Sequence, residues 1–179
     1  MIFQRFFQPR PQVLAGRALF VSASEQARDP AFYAQGGVPD TPEGRFELYT
    51  LHVVLLLHRL KGENPQVSET RQGLFDAFVR NLDDGLREMG VGDLSVGKKM
   101  RKLGAAVYGR LKSYDDALTA GAAPEALSTL VARTLYADAP SAEGAQLLET
   151  YCLAVNAKLA AEPTDQFLRG EVQWPTFLS

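Results

Sequence analysis

Apolar positions recur three and four residues apart along almost the whole chain, and alternating, strand-like runs are sparse. At about 100° per residue, Val96, Met100, Leu103, Val107, Leu111, Tyr114 and Leu118 fall in one arc about 80° wide. That stripe predicts a long helix from the Gly92-Asp93 turn and cap to about Leu118. Leu74, Phe78, Leu82 and Met89, widened by Phe75 and Leu86, mark a second stripe. It belongs to a helix that opens at Asn64-Pro65 and stops at Gly90. Leu147, Leu148, Tyr151, Cys152, Val155 and Leu159 line a third helix, capped at Asp138–Ser141 and ended by Glu162-Pro163. Further helices are expected from about Val13 to Arg28 and from Pro124 to near Ala137. Short turns are expected at Phe32-Tyr33 and over Thr164–Gly170.

The richest breaker cluster, Gly36-Gly37-Val38-Pro39-Asp40-Thr41-Pro42, must be a loop. Thr41 is placed to cap the next helix, with Pro42 at its first position and its end near Leu60. This helix differs from the rest because Leu48–Leu57 is apolar almost all round. Such a helix is either wrapped by its neighbours or offers one greasy side to a partner. The run is about half the ~20 residues a membrane span needs. The pattern as a whole predicts an all-α, single-domain bundle of about six to seven helices. The domain is expected over residues 13–170, between a leader at 1–12 and a tail at 171–179.

Composition narrows the class. The chain has 179 residues, 46% hydrophobic and 22% charged, with a net charge of −2. That balance argues against a protein devoted to wrapping nucleic acid, and the apolar content excludes a disordered chain. Cys152 is the single cysteine, so no intrachain disulfide or cysteine-built zinc site can form. The N-terminus mixes Phe3, Phe6 and Phe7 with Arg5, Pro9 and Arg10, which is not a secretory signal. A cytoplasmic protein, peripheral at the inner face of the membrane, is the expected setting.

Reactive constellations are hard to find. His52 and His58 stand six apart, about 240° around a helix, so they do not chelate one ion together. The plain reading is one partly buried and one exposed histidine. Asp83-Asp84 and Asp115-Asp116 point in diverging directions and read as solvated faces. Cys152 sits on an apolar stripe, where an inert buried thiol is expected. No catalytic residue, metal site or cofactor is assigned.

One helix face carries a charge pattern instead. Lys98, Arg101, Lys102 and Lys112 lie opposite the core stripe of their helix, with Ala105 and Gly109 between them and Lys99 and Arg110 at the flanks. A solvated surface explains this as readily as a basic strip for an anionic partner. In the leader, Arg5, Arg10 and Arg17 meet no acid before Glu25, and the neighbouring phenylalanines suit either an anionic bilayer or docking on the domain itself.

The segments Gln26–Tyr33 and Gly37-Val38-Pro39-Asp40-Thr41-Pro42-Glu43-Gly44-Arg45-Phe46-Glu47-Leu48 carry a resemblance. With Leu51-His52, Leu74–Phe78, Asp83-Asp84, Met89–Leu94, Lys98–Met100 and Tyr114, they resemble the bacterial branch of the ubiquinol–cytochrome c chaperone family. The match runs from about Ala18 to Leu118. It implies an all-α, non-enzymatic factor for assembly of the cytochrome bc1 complex (complex III), with newly synthesised cytochrome b as client. The ribosome, an anionic membrane surface and a small helical co-chaperone are the further partners it implies, and no small-molecule substrate. Within this reading Gly37, Val38, Pro39, Asp40, Thr41, Gly44, Arg45 and Phe46 form the family loop. Leu48, Leu51, His52 and Leu55 are the expected lining of a client groove. The competing readings are a helical haem- or quinone-binding protein, with His52 as axial ligand, and a ribosome-binding module built on the basic strip.

Overall fold

Proline stands at the first position of each of the first four helices, where its missing N–H would have had no partner anyway. A computed structural model of the protein describes residues 10–88, 90, 92–119, 121–123 and 125–177. Among them run α1 (Pro11–Gln26), α2 (Pro30–Ala34), α3 (Pro42–Arg59), α4 (Pro65–Glu88), α5 (Asp93–Leu118), α6 (Ala126–Leu135), α7 (Ala142–Ala161) and α8 (Thr164–Leu168). No strand forms among the described residues, and the chain is an all-α bundle.

The expected caps are largely in place. Thr41 Oγ1 accepts from Gly44 N at 3.1 Å, Ser141 Oγ from Gly144 N at 3.0 Å, and Asn64 Oδ1 from Gln66 N at 2.9 Å. The N-cap position of α5 is Gly92, within the expected Gly92-Asp93 turn. The helix α1 starts and ends two residues earlier than expected, at Pro11 and Gln26 rather than Val13 and Arg28.

The central element is α3. Leu48, Leu51, Val53, Val54, Leu56 and Leu57 are fully buried, and α1, α4, α5, α6 and α7 all pack on it. Of the two outcomes for an all-round apolar helix, this chain takes the enclosed one. Alongside it, α1 and α4 run in the same direction at close range. A Cβ on Gly16 would stand 2.4 Å from both Leu74 N and Thr70 O, so only glycine allows this approach. Phe20 meets Phe78 further along the same seam, with ring centroids 6.3 Å apart.

At the far end, Arg59 of α3 serves the C-terminus of α7. Its Nε donates to Leu159 O at 2.6 Å and its Nη2 to Glu162 O at 2.9 Å, while the guanidinium lies 4.8 Å from the Phe167 ring centroid. Orphan carbonyls of a helix end are satisfied this way. Residues 171–177 pack back onto the bundle: Trp174 Nε1 donates to Ser22 Oγ at 3.0 Å, and Phe177 is buried against Phe32 and Tyr151. Residues 1–9 of the leader, Met89, Val91, Pro124 and residues 178–179 lie outside the described residues.

Candidate functional site

The four residues expected to line a client groove lie in the core. Leu48, Leu51 and His52 have no exposed surface and Leu55 has 2%. All four face the interior, because neighbouring helices cover every side of α3 beyond its first turns. They line no cleft.

His52 is held on both ring nitrogens. Nδ1 donates to Leu48 O at 2.8 Å, the i−4 carbonyl, which leaves Nε2 to accept from Tyr151 OH at 3.0 Å. Tyr151 OH in turn accepts from Gln26 Nε2 at 3.1 Å. Phe32 and Trp174 meet the imidazole edge to face. Burial lowers its pKa from 6.5 to about 4, so the ring is neutral at physiological pH. With neither nitrogen free, His52 offers no axial position to a haem, and the haem reading loses its one ligand. His58 is the less buried of the two histidines but is not exposed: its Nδ1 lies 2.7 Å from Asp115 Oδ1, and Lys61 pairs with the same carboxylate. Burial pushes Asp115 up, but the hydrogen bonds from Lys61 and His58 outweigh it and hold the group below the usual carboxylate value. Cys152 is fully buried and its thiol is pushed up to about 12 by that burial.

A concavity does exist, at the other side of α3. A groove of about 860 Å³ opens between the first turns of α3, the last turns of α4 and the middle of α5. Phe46, Tyr49, Leu82 and Leu103 form its apolar floor, and Gly85 lets the floor dip. The family loop is its wall: Asp40, Thr41, Arg45 and Phe46 all line it. Sequence reasoning had Leu82 and Leu103 as core stripe residues, yet both are only half-buried. Gly85, one turn after Leu82, leaves its side of α4 open to the groove.

The loop is built to fixed geometry. Gly37 has φ 66°, in the region glycine favours. Val38 is buried and its N–H donates to Phe32 O at 3.1 Å. A Cβ on Gly44 would fall 2.1 Å from Pro39 O, so the loop folds directly over the start of α3. Asp40 and Arg45 bridge each other at 2.6 Å, and that bond holds the Asp40 carboxyl below its ordinary value. Pro39 and Thr41 are therefore scaffold, and Phe46 is the loop residue that turns apolar surface to the groove.

The basic face divides in two. Lys98, Arg101 and Lys102 are exposed and have no carboxylate partner among the described residues, as is true of Lys99. Lys112 is exposed too, but it is neutralised by Asp116 at 2.7 Å, which raises its pKa. Arg110 is turned inward to Glu47 and adds nothing to the strip. The free positive charge thus gathers on the first half of α5, with Lys99 one turn before Leu103 and Lys98, Arg101 and Lys102 on the opposite side of that helix. Among the described residues no helix is long and apolar enough to cross a membrane, and no group of three or more His, Cys, Asp or Glu is set to hold a metal ion.

Comparison with known proteins bears directly on this arrangement. The ubiquinol-cytochrome C chaperone family model matches residues 34–174, which takes in the loop, the groove and the basic face. The chain belongs to the ubiquinol–cytochrome c chaperone family. Among solved structures, the crystal structure of the Cbp3 homolog from Brucella abortus is similar, with a TM-score of 0.81 and 36% sequence identity. The similarity covers 99% of this chain and 98% of that one. No curated protein matches. In this member of the chaperone family, the matched region takes in both the groove and the free half of the basic face.

Proposed function

We propose that the chain is a non-enzymatic assembly chaperone of the bc1 complex that shields newly made cytochrome b at the inner face of the membrane. Family membership and the likeness to the Cbp3 homolog support the assembly role. The observation that carries the reading is the groove itself, an apolar concavity walled by the family loop. An unassembled membrane helix exposes apolar surface that water does not tolerate, and it must be covered until lipid and haem replace the cover. Phe46, Tyr49, Leu82 and Leu103 supply such a cover. Lys98, Lys99, Arg101 and Lys102 supply attraction to an anionic surface nearby, a lipid leaflet or ribosomal RNA, and a small helical co-chaperone is a further partner consistent with the family.

Photo-crosslinking tests the client. A photoreactive residue in place of Phe46, Leu82 or Leu103 is expected to capture cytochrome b in membranes of the native host. The same residue in place of Leu153, exposed on α7, serves as the control and captures none. Equal capture from Leu153, or none from any groove position, overturns the reading.

A further inference from the structure

We propose that the groove receives a single partner helix, apolar on the face it buries and bearing Lys or Arg at the end that meets α3 and α4. The proposal deepens the client reading above and rests on it. Its basis is the balance of charge around the rim. Four carboxylates line the groove: Asp40, Glu43, Glu47 and Glu88. Asp40 is matched by Arg45 and Glu47 by Arg110, at 2.6 and 2.7 Å. Glu43 and Glu88 are exposed and have no basic partner among the described residues. Glu88 also ends α4, where the helix dipole adds negative potential.

The apolar floor is thus edged on its α3–α4 side by two unbalanced negative charges. On the α5 side the sign reverses, since Lys99 lies one turn before Leu103. This polarity orients an occupant: carboxylates at the α3–α4 end would be repelled, and ammonium or guanidinium groups attracted. A small polar ligand fits poorly, because such a site places a few buried polar groups on its floor. Here the polar side chains are exposed rim residues or are already bonded, as Glu47 is to Arg110. Gly85 adds room: a Cβ there would meet nothing within 4 Å, so a helix backbone can come close. An apolar stretch followed by Lys or Arg is also how membrane helices end on the cytoplasmic side. The groove has the complement of that pattern.

Fluorescence anisotropy of labelled synthetic peptides against the full chain tests the assignment. The probes share one Leu- and Ala-rich helical sequence and end in three lysines, three glutamines or three glutamates. The lysine peptide is expected to bind roughly 3- to 30-fold tighter than the glutamine peptide, as two rim pairs allow, and the glutamate peptide weakest. High salt should narrow the spread. Glu43→Lys with Glu88→Lys, both at exposed positions, should reverse the order with unchanged helical circular dichroism, and Phe46→Glu should weaken all three. Equal affinities, or an order the double variant leaves intact, would overturn the proposal. So would concentration-dependent dimerisation that Phe46→Glu abolishes, since the groove would then belong to a second copy. Tenfold tighter binding after Phe3→Ser, Phe6→Ser and Phe7→Ser would assign it to the chain's own N-terminal segment. The double variant in a strain lacking the wild-type chain separates the two claims. Peptide results against the proposal, with bc1 assembly still dependent on the chain, remove the groove assignment alone. Assembly indifferent to the chain removes the client reading, whatever the peptides do.

Discussion

Arg110 of α5 holds Glu47 of α3 through two parallel hydrogen bonds, Nε to Oε2 at 2.8 Å and Nη2 to Oε1 at 2.7 Å. Both side chains are mostly shielded, 26% and 13% exposed, and the bond to Glu47 raises the Arg110 pKa. A bidentate pair of this kind fixes orientation as well as distance. It sets the separation of the two helices that flank the groove.

A double-mutant cycle with Glu47→Gln and Arg110→Gln should therefore show coupling of about 1–2 kcal/mol in urea unfolding. Each single change should cost more than the pair's coupling alone suggests, because it leaves a half-buried charge without its partner. Additive effects of the two substitutions would show that the helices are positioned by packing only.

Acid should weaken the fold through His52. Its pKa is about 4 in the folded chain against 6.5 ordinarily, because burial disfavours the charged ring. Between those values the unfolded chain binds the extra proton and the folded one does not, so stability rises with pH across the window. The contribution is fully present above about pH 6.5 and is lost as pH falls toward 4, by about 3 kcal/mol at most. Stability measured from pH 4 to 7 should be steeper for the wild type than for His52→Gln, by close to one proton. Identical slopes would mean that the imidazole is not buried neutral. Emission from Trp174, the single tryptophan and a direct neighbour of His52, reports the same transition.

Glycines of opposite environment should respond in opposite directions. Gly16→Ala forces a methyl group against the α4 backbone 2.4 Å away and should cost about 2–3 kcal/mol. Gly109→Ala enters open space on the outer face of α5. It should stabilise by about 0.5–1 kcal/mol through the lost backbone freedom of glycine. Thermal melts of the two variants check both signs.

The basic face should behave as two halves. Lys98→Glu, Arg101→Glu and Lys102→Glu together should abolish most salt-sensitive binding to anionic vesicles or ribosomes. Lys112→Glu should change it little, since Asp116 already offsets that charge. Equal effects at the two places would show that net charge, not a located surface, drives association.

Much of the architecture was legible from spacing. Thr41-Pro42, Asn64-Pro65 and Ser141 announce helix starts because the cap and the proline each answer a backbone need that is purely local. What periodicity does not carry is the choice between wrapped and exposed for α3, which depends on how many neighbours arrive. Leu48, Leu51, His52 and Leu55 were expected in a groove and are instead the middle of the core. The groove itself draws Phe46, Leu82, Leu103 and Glu88 from three helices, and nothing in any one helix marks them as neighbours. Arg110 likewise reads as one more surface cation until Glu47 is brought beside it from 63 residues away.

The most direct test is the amount of assembled bc1 complex in membranes of the native host after deletion of the gene for this chain. It is read by the haem b difference spectrum and by native electrophoresis. The account predicts loss of the complex, with recovery on expression of the wild-type chain and little recovery with Phe46→Glu. Normal bc1 levels in the deletion strain would contradict it.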